Sequence, residues 1–330
     1  MTEGAVRTAL VTGATGYIGS RLVPELLAAG WRVRVLTRNA DGVAPRAWFD
    51  QVEVIEGDAT DPVILDRALT GADVAYYLLH SMDGKPQFER RDRAMARGFA
   101  AAARRARLGR IVYLSGLHPD GVALSAHLDS RVEVGEILLA SDVPTVVLQA
   151  AVIIGSGSAS FEMLRHLTRR LPAMIAPKWL HNRIQPIAVR DILHYLVAAA
   201  DLPPQLNRTF DVGGPDVLTY KEMIERFARL DGLWPRIIVT VPVLTPWLAG
   251  HWVGVVTPVP ASIAKPLVGS LVHEVICKED DLAGLVPPPP GGLLGFDEAV
   301  QDALGGERSR PEPGTVDPGR LTSADPDWAG

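Results

Sequence analysis

The stretch SAHLDSR, residues 125–131, places a histidine and an arginine four positions apart in a segment with a helical pattern. His127 and Arg131 then lie on one helix face and point at the same groove. An unperturbed histidine has a pKa of about 6.5, which suits proton transfer. Arginine is a permanent cation, so it disfavours the protonated, positively charged form of a neighbouring histidine. The pair predicts a site that moves a proton to or from a substrate oxygen. A partly buried, hydrogen-bonded histidine beside a solvated arginine is the structural alternative.

A second stretch with chemical potential is TGATGYIG, which lies between an apolar strand pattern and an amphipathic helix. In such a turn the first glycine permits the tight bend, the second lets the backbone approach a pyrophosphate, and the third lets the helix pack on the sheet. Free N–H groups at the helix N-terminus attract the phosphates. The order strand, turn, helix predicts dinucleotide binding, and a plain glycine-rich turn is the alternative. The predicted contacts are Gly13, Thr15, Gly16, Tyr17, Ile18 and Gly19.

The ends of the next two strands indicate which dinucleotide is bound. Arg38 stands where an acidic residue would hold a ribose 2′-hydroxyl, and its guanidinium fork fits a 2′-phosphate instead. We therefore expect NADP(H) in preference to NAD(H), with a solvated surface arginine as the alternative. Asp58, followed by Ala59, is positioned to accept a hydrogen bond from the adenine amino group. A helix cap or turn would explain Asp58 equally well.

The elements that position these residues alternate between strand and helix. Strand patterns occur at 6–12, 31–38, 52–58, 72–79, 110–117 and 145–155, with helical patterns between most of them. This order predicts an α/β fold, a Rossmann-type doubly wound parallel sheet. Residues 1–155 form the predicted dinucleotide-binding core, and residues 156–305 complete the sheet and cover the substrate cleft. Residues 306–330, rich in Pro, Gly and acidic side chains, are predicted to be a linker or disordered tail.

The composition of the chain bears on which classes of partner and cellular location are expected. The chain has 330 residues, of which 47% are apolar and 22% charged, so it can bury a substantial core. A net charge of −5 without a long basic run argues against nucleic acid. A single cysteine, no secretory signal pattern and no long apolar run favour a cytoplasmic protein without a membrane span. The eight histidines form no ligand motif, so no metal site is expected.

Taken together, these residues resemble the atypical branch of the short-chain dehydrogenase/reductase superfamily, which includes NmrA-like and complex I accessory-subunit-like proteins. YYLLHSM, RIVYLSGL, HLDSRVEVGEIL and GSGSASFEML resemble a bacterial group of NAD(P)H-binding, epimerase-like proteins. The resemblance spans roughly residues 5–305. Longer members continue past the point where this chain stops into a second domain, so we expect either a short member or one part of such a protein.

The resemblance implies roles by position. The active-site tyrosine of the superfamily falls at His127, its lysine at Arg131, and the serine that orients the substrate oxygen at Ser115. The segment that passes the nicotinamide ribose matches Leu79, His80 and Ser81. Since both the tyrosine and the lysine are replaced, the site is a substituted active site or a site without catalysis.

We therefore expect an NADP(H)-dependent oxidoreductase that acts on a small apolar carbonyl or a quinone-like substrate. The alternative is a non-catalytic NAD(P)H-binding sensor or assembly module, and a sugar-nucleotide epimerase is a weaker third hypothesis. Phe161 and Met163 line the substrate opening or belong to the core. Trp179, with Trp247 and Trp252 of the Trp-rich segment 234–256, lines an apolar pocket or makes a peripheral membrane contact.

Overall fold

A computed structural model describes residues 6–80, 87–241, 254, 256–308, 320–322 and 324–329. Ser81, Trp247 and Trp252 lie outside the described residues. The strands are β1 Thr8–Thr12, β2 Arg32–Thr37, β3 Glu53–Glu56, β4 Val74–Tyr77, β5 Arg110–Gly116, β6 Thr145–Ala150, β7 Ile153–Ile154, β8 Ala173–Pro177, β9 Arg183–Ile184, β10 Ile187–Ala188, β11 Arg208–Val212, β12 Leu218–Thr219 and β13 Ile237–Val241. The helices are α1 Tyr17–Ala28, α2 Pro62–Leu69, α3 Phe88–Arg105, α4 Ala126–Leu139, α5 Ala159–Arg170, α6 Val189–Ala199, α7 Tyr220–Leu230, α8 Ala261–Ser270 and α9 Phe296–Arg308.

Seven parallel strands form the central sheet in the order β3-β2-β1-β4-β5-β6-β11. The strand order reverses between β1 and β4. In a doubly wound sheet, ligands bind in the crevice beyond the carboxyl ends of the strands at such a reversal. The predicted α/β Rossmann-type fold is therefore confirmed, and its binding crevice lies beyond β1 and β4.

The strands are apolar on both faces because helices cover both sides of the sheet. Successive strand residues alternate between faces, so Ala9 and Val11 pack with α1 and α6, whereas Leu10 packs with α2 and α3. All three side chains are fully buried. Burial on both faces holds the strand ends, and the turns that follow them, in fixed positions.

The residues after β6 build a second apolar cluster beside the sheet. Helices α5, α7 and α9 pack together over the short strands, with Phe161, Met223 and Val300 among their buried side chains. Strands β8 and β13 pair in parallel as a separate two-stranded sheet. In the Pro-rich region the described regular elements are short, namely β13 of five residues and α8 of ten with Pro266 inside it.

Part of the segment expected to be a linker or tail has defined contacts. We call residues 320–322 and 324–329 the strip. The Asp325 carboxylate lies between the guanidinium groups of Arg21 and Arg46, and all three side chains are about 95% buried. Ala329 is completely buried. Because two buried cations attract a carboxylate strongly, these residues are anchored to the Rossmann core.

Candidate active site

The glycine turn has the geometry that a pyrophosphate needs. Gly13 has a φ of +72°, and a Cβ there would lie 2.7 Å from the Leu78 carbonyl oxygen. A Cβ at Gly19 would lie 2.3 Å from the Gly13 carbonyl oxygen, so α1 approaches the turn too closely for any side chain. Gly16 caps α1 without a side chain, which leaves the first N–H groups of the helix open to an anion. The turn fits a dinucleotide.

The residues expected to select the dinucleotide lie beyond β2 and β3. Arg38 is exposed, and among the described residues its guanidinium has no hydrogen bond or ion pair. Asp58 is also exposed, and its Oδ1 accepts hydrogen bonds of 2.8 Å from both the N–H and the hydroxyl of Thr60. These bonds lower the pKa of the Asp58 carboxyl. Asp58 therefore forms a turn with Thr60, as the alternative interpretation of this residue predicted.

A cavity of about 1000 Å³ opens beyond the carboxyl ends of β1, β4 and β5. It brings together residues from distant parts of the sequence that were singled out as candidates. The candidates that line it are Gly13, Thr15, Gly16, Tyr17, Ile18, Gly19, Leu79, His80, Ser115, His127 and Arg131. Arg38, Asp58 and Ala59 do not line it, because β2 and β3 lie on the far side of β1.

Arg131 connects helix α4 to strand β5 through hydrogen bonds. The main-chain carbonyl of Arg131 accepts hydrogen bonds from the Tyr113 hydroxyl at 3.1 Å and from the Ser115 hydroxyl at 3.4 Å. Its guanidinium donates back to the Leu114 carbonyl, while its Nε is buried without a hydrogen-bond partner among the described residues. Arg131 thus contributes to the attachment of α4, and its positive charge is held beside the cavity.

His127 lies in the first turn of α4, which begins after the N-cap Ser125. The residue is 9% exposed, and its imidazole has no hydrogen-bond partner among the described residues. Burial, followed by the charge on Arg131 and the proximity of His80, lowers the pKa of His127 to about 3. The pKa of His127 thus lies below that of an unperturbed histidine, because desolvation disfavours the imidazolium. The predicted effect of the arginine has the expected direction.

The imidazole rings of His80 and His127 lie close together in the lining of the cavity. Their centroids are 6.2 Å apart and their planes are inclined by 61°. His80 is an exposed residue that lines the cavity. Desolvation beside the cavity, followed by the charge on Arg131, lowers the pKa of His80 to about 4. Both imidazoles are therefore neutral near neutral pH, so each can donate one N–H hydrogen bond and accept another.

The remaining walls of the cavity are largely apolar. Met163 and Trp179 line it, whereas Phe161 is buried in the core and stacks edge-on against Phe227. Further lining side chains that the sequence did not single out are Leu167, Met174, Tyr220, Met223, Leu267 and Trp328. The helical pattern of α7 predicts which residues are buried, but nothing in it shows that the buried face meets a cavity.

Two further structural properties concern a membrane span and a metal site. No helix in the described part of the chain is both long and apolar enough to cross a bilayer. Over the same residues, no group of three or more His, Cys, Asp or Glu side chains is placed to hold a metal ion. The site consists of the glycine turn, polar side chains at the end of β5 and in α4, and an apolar cavity.

Comparison with known proteins agrees with this arrangement. Residues 13–148 match the model of a family described as NAD(P)H-binding. A ceramide reductase from Caulobacter vibrioides is 33% identical over 232 residues, which cover 69% of this chain and 72% of the relative. Subunit 9 of the mitochondrial NADH dehydrogenase [ubiquinone] 1 alpha subcomplex from Arabidopsis thaliana is 24% identical over 239 residues, covering 70% of this chain and 59% of the subunit.

A solved structure shares the fold over nearly the whole chain. It is an NADPH-dependent quinone oxidoreductase from Escherichia coli in complex with NADPH, with a TM-score of 0.68 and 18% identity, covering 90% of this chain and 99% of that one. The fold and the site together define a Rossmann-type NAD(P)H-binding protein. The chain belongs to the same NAD(P)H-binding family as the ceramide reductase.

Proposed function

We propose that this protein is an NADP(H)-dependent oxidoreductase that reduces an apolar carbonyl or quinone-like substrate. The observation that carries the proposal is the continuity of the cavity, which runs from the glycine turn past Ser115 and His127 into apolar walls. Such a cavity places a reducible group next to the cofactor turn and buries the rest of the ligand. The similarity to a ceramide reductase and to an NADPH-dependent quinone oxidoreductase supports the same class.

The chain offers separate contacts for each part of the cofactor. Gly13 to Gly19 would hold the pyrophosphate, and Leu79 and His80 would lie along the nicotinamide ribose. Arg38 would hold a 2′-phosphate, which is the basis for preferring NADP(H) to NAD(H). Ser81 and Asp58 complete the proposed contacts, with Ala59 beside the adenine. When bound, the nicotinamide supplies a hydride.

The polar side chains of the cavity would act on the substrate oxygen. A neutral His127 donates an N–H hydrogen bond to the carbonyl, as a neutral imidazole does in other enzymes whose histidine pKa is depressed. Ser115 can turn its hydroxyl from the long bond to the Arg131 carbonyl and become a second donor. The nearby Arg131 charge stabilises negative charge that develops on the oxygen. The proton is finally taken from water, since neither histidine is charged.

The test is NADPH oxidation, followed by its absorbance, with a panel of apolar ketones and quinones. Replacing His127→Ala should lower kcat by about 100-fold, the lower range for the loss of one hydrogen-bond donor to a developing oxyanion, while the NADPH dissociation constant changes less than about threefold. His181→Ala is the matched control, because His181 is exposed and does not line the cavity. Undiminished turnover in His127→Ala would remove His127 from the mechanism.

A second candidate function is a binding module that senses NADPH or stabilises an assembly. It is favoured by the hydrogen bond from Arg131 to the Leu114 carbonyl, because this bond engages the residue at the superfamily's lysine position in a structural contact. The similarity to a mitochondrial complex subunit supports it as well. This function predicts tight NADPH binding, no turnover with any member of the panel, and a partner protein whose affinity depends on NADPH. Hydride transfer to any ketone or quinone would reject it.

A further inference from the structure

The strip lies against the cavity, although it is about 300 positions distant in sequence from the glycine turn. Asp325, Pro326 and Trp328 all line the cavity. Trp328 is half-buried and packs on an apolar cluster that joins Met163 of α5 to Val268 of α8. A residue of the strip therefore lies at the junction of two helices that form the apolar walls.

The strip is held in place by several bonds around one carboxylate. Arg21 donates to the two oxygens of Asp325 at 3.3 and 3.1 Å, and Arg46 donates at 3.2 Å. Arg46 also donates to the Ala324 carbonyl at 2.9 Å, and the Thr322 N–H donates to Asp325 at 2.8 Å. Burial opposes ionisation of Asp325, but Arg21, the Thr322 bond and Arg46 together hold its pKa below the usual range.

The main chain beneath the strip leaves room for it. Gly157 has a φ of +84°, and a Cβ at this position would lie 2.7 Å from the Leu321 side chain and 3.6 Å from the Ala329 side chain. The absence of a side chain at Gly157 lets the strip approach the loop before α5. Arg21 belongs to α1, and its guanidinium stacks 4.0 Å above the Tyr17 ring, which itself lines the cavity.

We propose that the strip forms a wall of the substrate cavity and that the Trp328 side chain limits the length of the apolar chain that the cavity accepts. This inference rests on the proposed function, since it assigns the ligand of the same cavity. The ligand class is a ketone with an unbranched alkyl chain. Its carbonyl lies beside His127, and its chain runs between α5 and α8 towards Trp328. Aliphatic and methionine side chains suit such a chain, and each buried methylene strengthens binding about fourfold.

The experiment measures dissociation constants for n-alkyl methyl ketones with butyl, hexyl and decyl chains, by calorimetry on the full chain with NADPH present. In the native protein, affinity should rise with chain length and then level off where the chain meets Trp328. In Trp328→Ala, the decyl ketone should bind about tenfold tighter relative to the butyl ketone, since the truncated side chain leaves room for further methylenes. Trp328→Phe should give an intermediate profile.

Controls separate this effect from a loss of folding. Trp234→Ala removes a tryptophan that is 86% exposed and does not line the cavity, so it should leave the profile unchanged. Thermal unfolding and the NADPH dissociation constant are measured for every variant. An unchanged chain-length profile in both Trp328 variants, or an equal loss of affinity for all three ketones, overturns the proposal.

Asp325→Asn tests the anchoring of the strip independently. Weakened attraction to Arg21 and Arg46 should raise amide hydrogen exchange in the strip at least about tenfold and shift the ketone profile in the same direction as Trp328→Ala. Exchange that stays at the native rate contradicts the anchoring.

The outcomes also distinguish this inference from the proposed function. If the profile shifts as expected but no ketone or quinone oxidises NADPH, the proposed function fails and the assignment of the wall stands. If NADPH is oxidised but the chain-length profile is the same in the Trp328 variants and the native protein, only the assignment of the strip as a cavity wall fails. Failure of all three ketones to bind overturns the assignment of the ligand.

Discussion

The glycine turn and the first turn of α4 face the same cavity, but the backbone limits the choice of residue only in the glycine turn. In the glycine turn, the residue types follow from the backbone, since a Cβ at Gly13 or Gly19 would overlap a carbonyl oxygen. In α4, nothing in the backbone requires a histidine at position 127, and the chemistry of that histidine depends on its neighbours. A motif is thus informative where sterics limit the choice, and less so where the environment sets the pKa.

The largest expected effect is in the glycine turn. Gly19→Ala would place a Cβ 2.3 Å from the Gly13 carbonyl oxygen, so α1 must move away from the turn. We expect NADPH binding at least about 100-fold weaker, equivalent to about 2.7 kcal/mol, measured by fluorescence titration. Gly305→Ala in α9 is the matched control, because a Cβ there meets nothing within 4 Å. Equal NADPH affinities in the two variants would show that the turn does not bind the cofactor.

The next effect concerns His127 and sharpens the contrast with the glycine turn. The pKa of His127 is lowered to about 3 in the folded chain, so on acidification the unfolded chain takes up a proton near pH 6.5 that the folded chain does not. Stability from this residue is complete above that pH and is lost as the pH falls towards 3. At pH 5 the loss should be about 2 kcal/mol relative to pH 7.5, measured by urea unfolding.

His127→Gln supplies the comparison for this pH effect. The variant lacks the titrating group and should lose about 2 kcal/mol less stability over the same interval, whereas His181→Gln should behave like the native chain. If His127→Gln and the native chain lose equal stability, the imidazole of His127 is not desolvated in solution. In that case a charged His127 becomes available as a proton donor.

The smallest effect concerns the choice of dinucleotide. Arg38→Gln should weaken NADPH binding about tenfold and leave NADH binding within about twofold, because only NADPH carries the phosphate that the guanidinium would hold. Arg32→Gln is the matched control, since Arg32 is an exposed arginine at the opposite end of β2. Equal losses for both dinucleotides would mean that Arg38 does not recognise the 2′-phosphate.

Much of the fold was predictable from local patterns. The six strand patterns before residue 155 coincide with β1 to β6, with differences of one or two residues at most ends, except that the last pattern also contains β7. Long apolar runs flanked by helices leave few alternatives to a covered parallel sheet. The strip was not predictable, because its Pro- and Gly-rich surroundings resemble a linker. Its anchor is a single aspartate whose partners, Arg21 and Arg46, lie about 300 residues away.

The sequence by itself determined the covered parallel sheet, the glycine turn and the set of polar residues that could share a site. These features depend on side-chain periodicity and on sterics within a few residues, which a linear pattern records. Only the tertiary structure decided that His127 is neutral, that Arg131 is bonded to β5, and that Trp328 belongs to the cavity. Desolvation, charge proximity and cavity shape arise from residues that are distant in the chain, and the spacing of a motif carries no information about them.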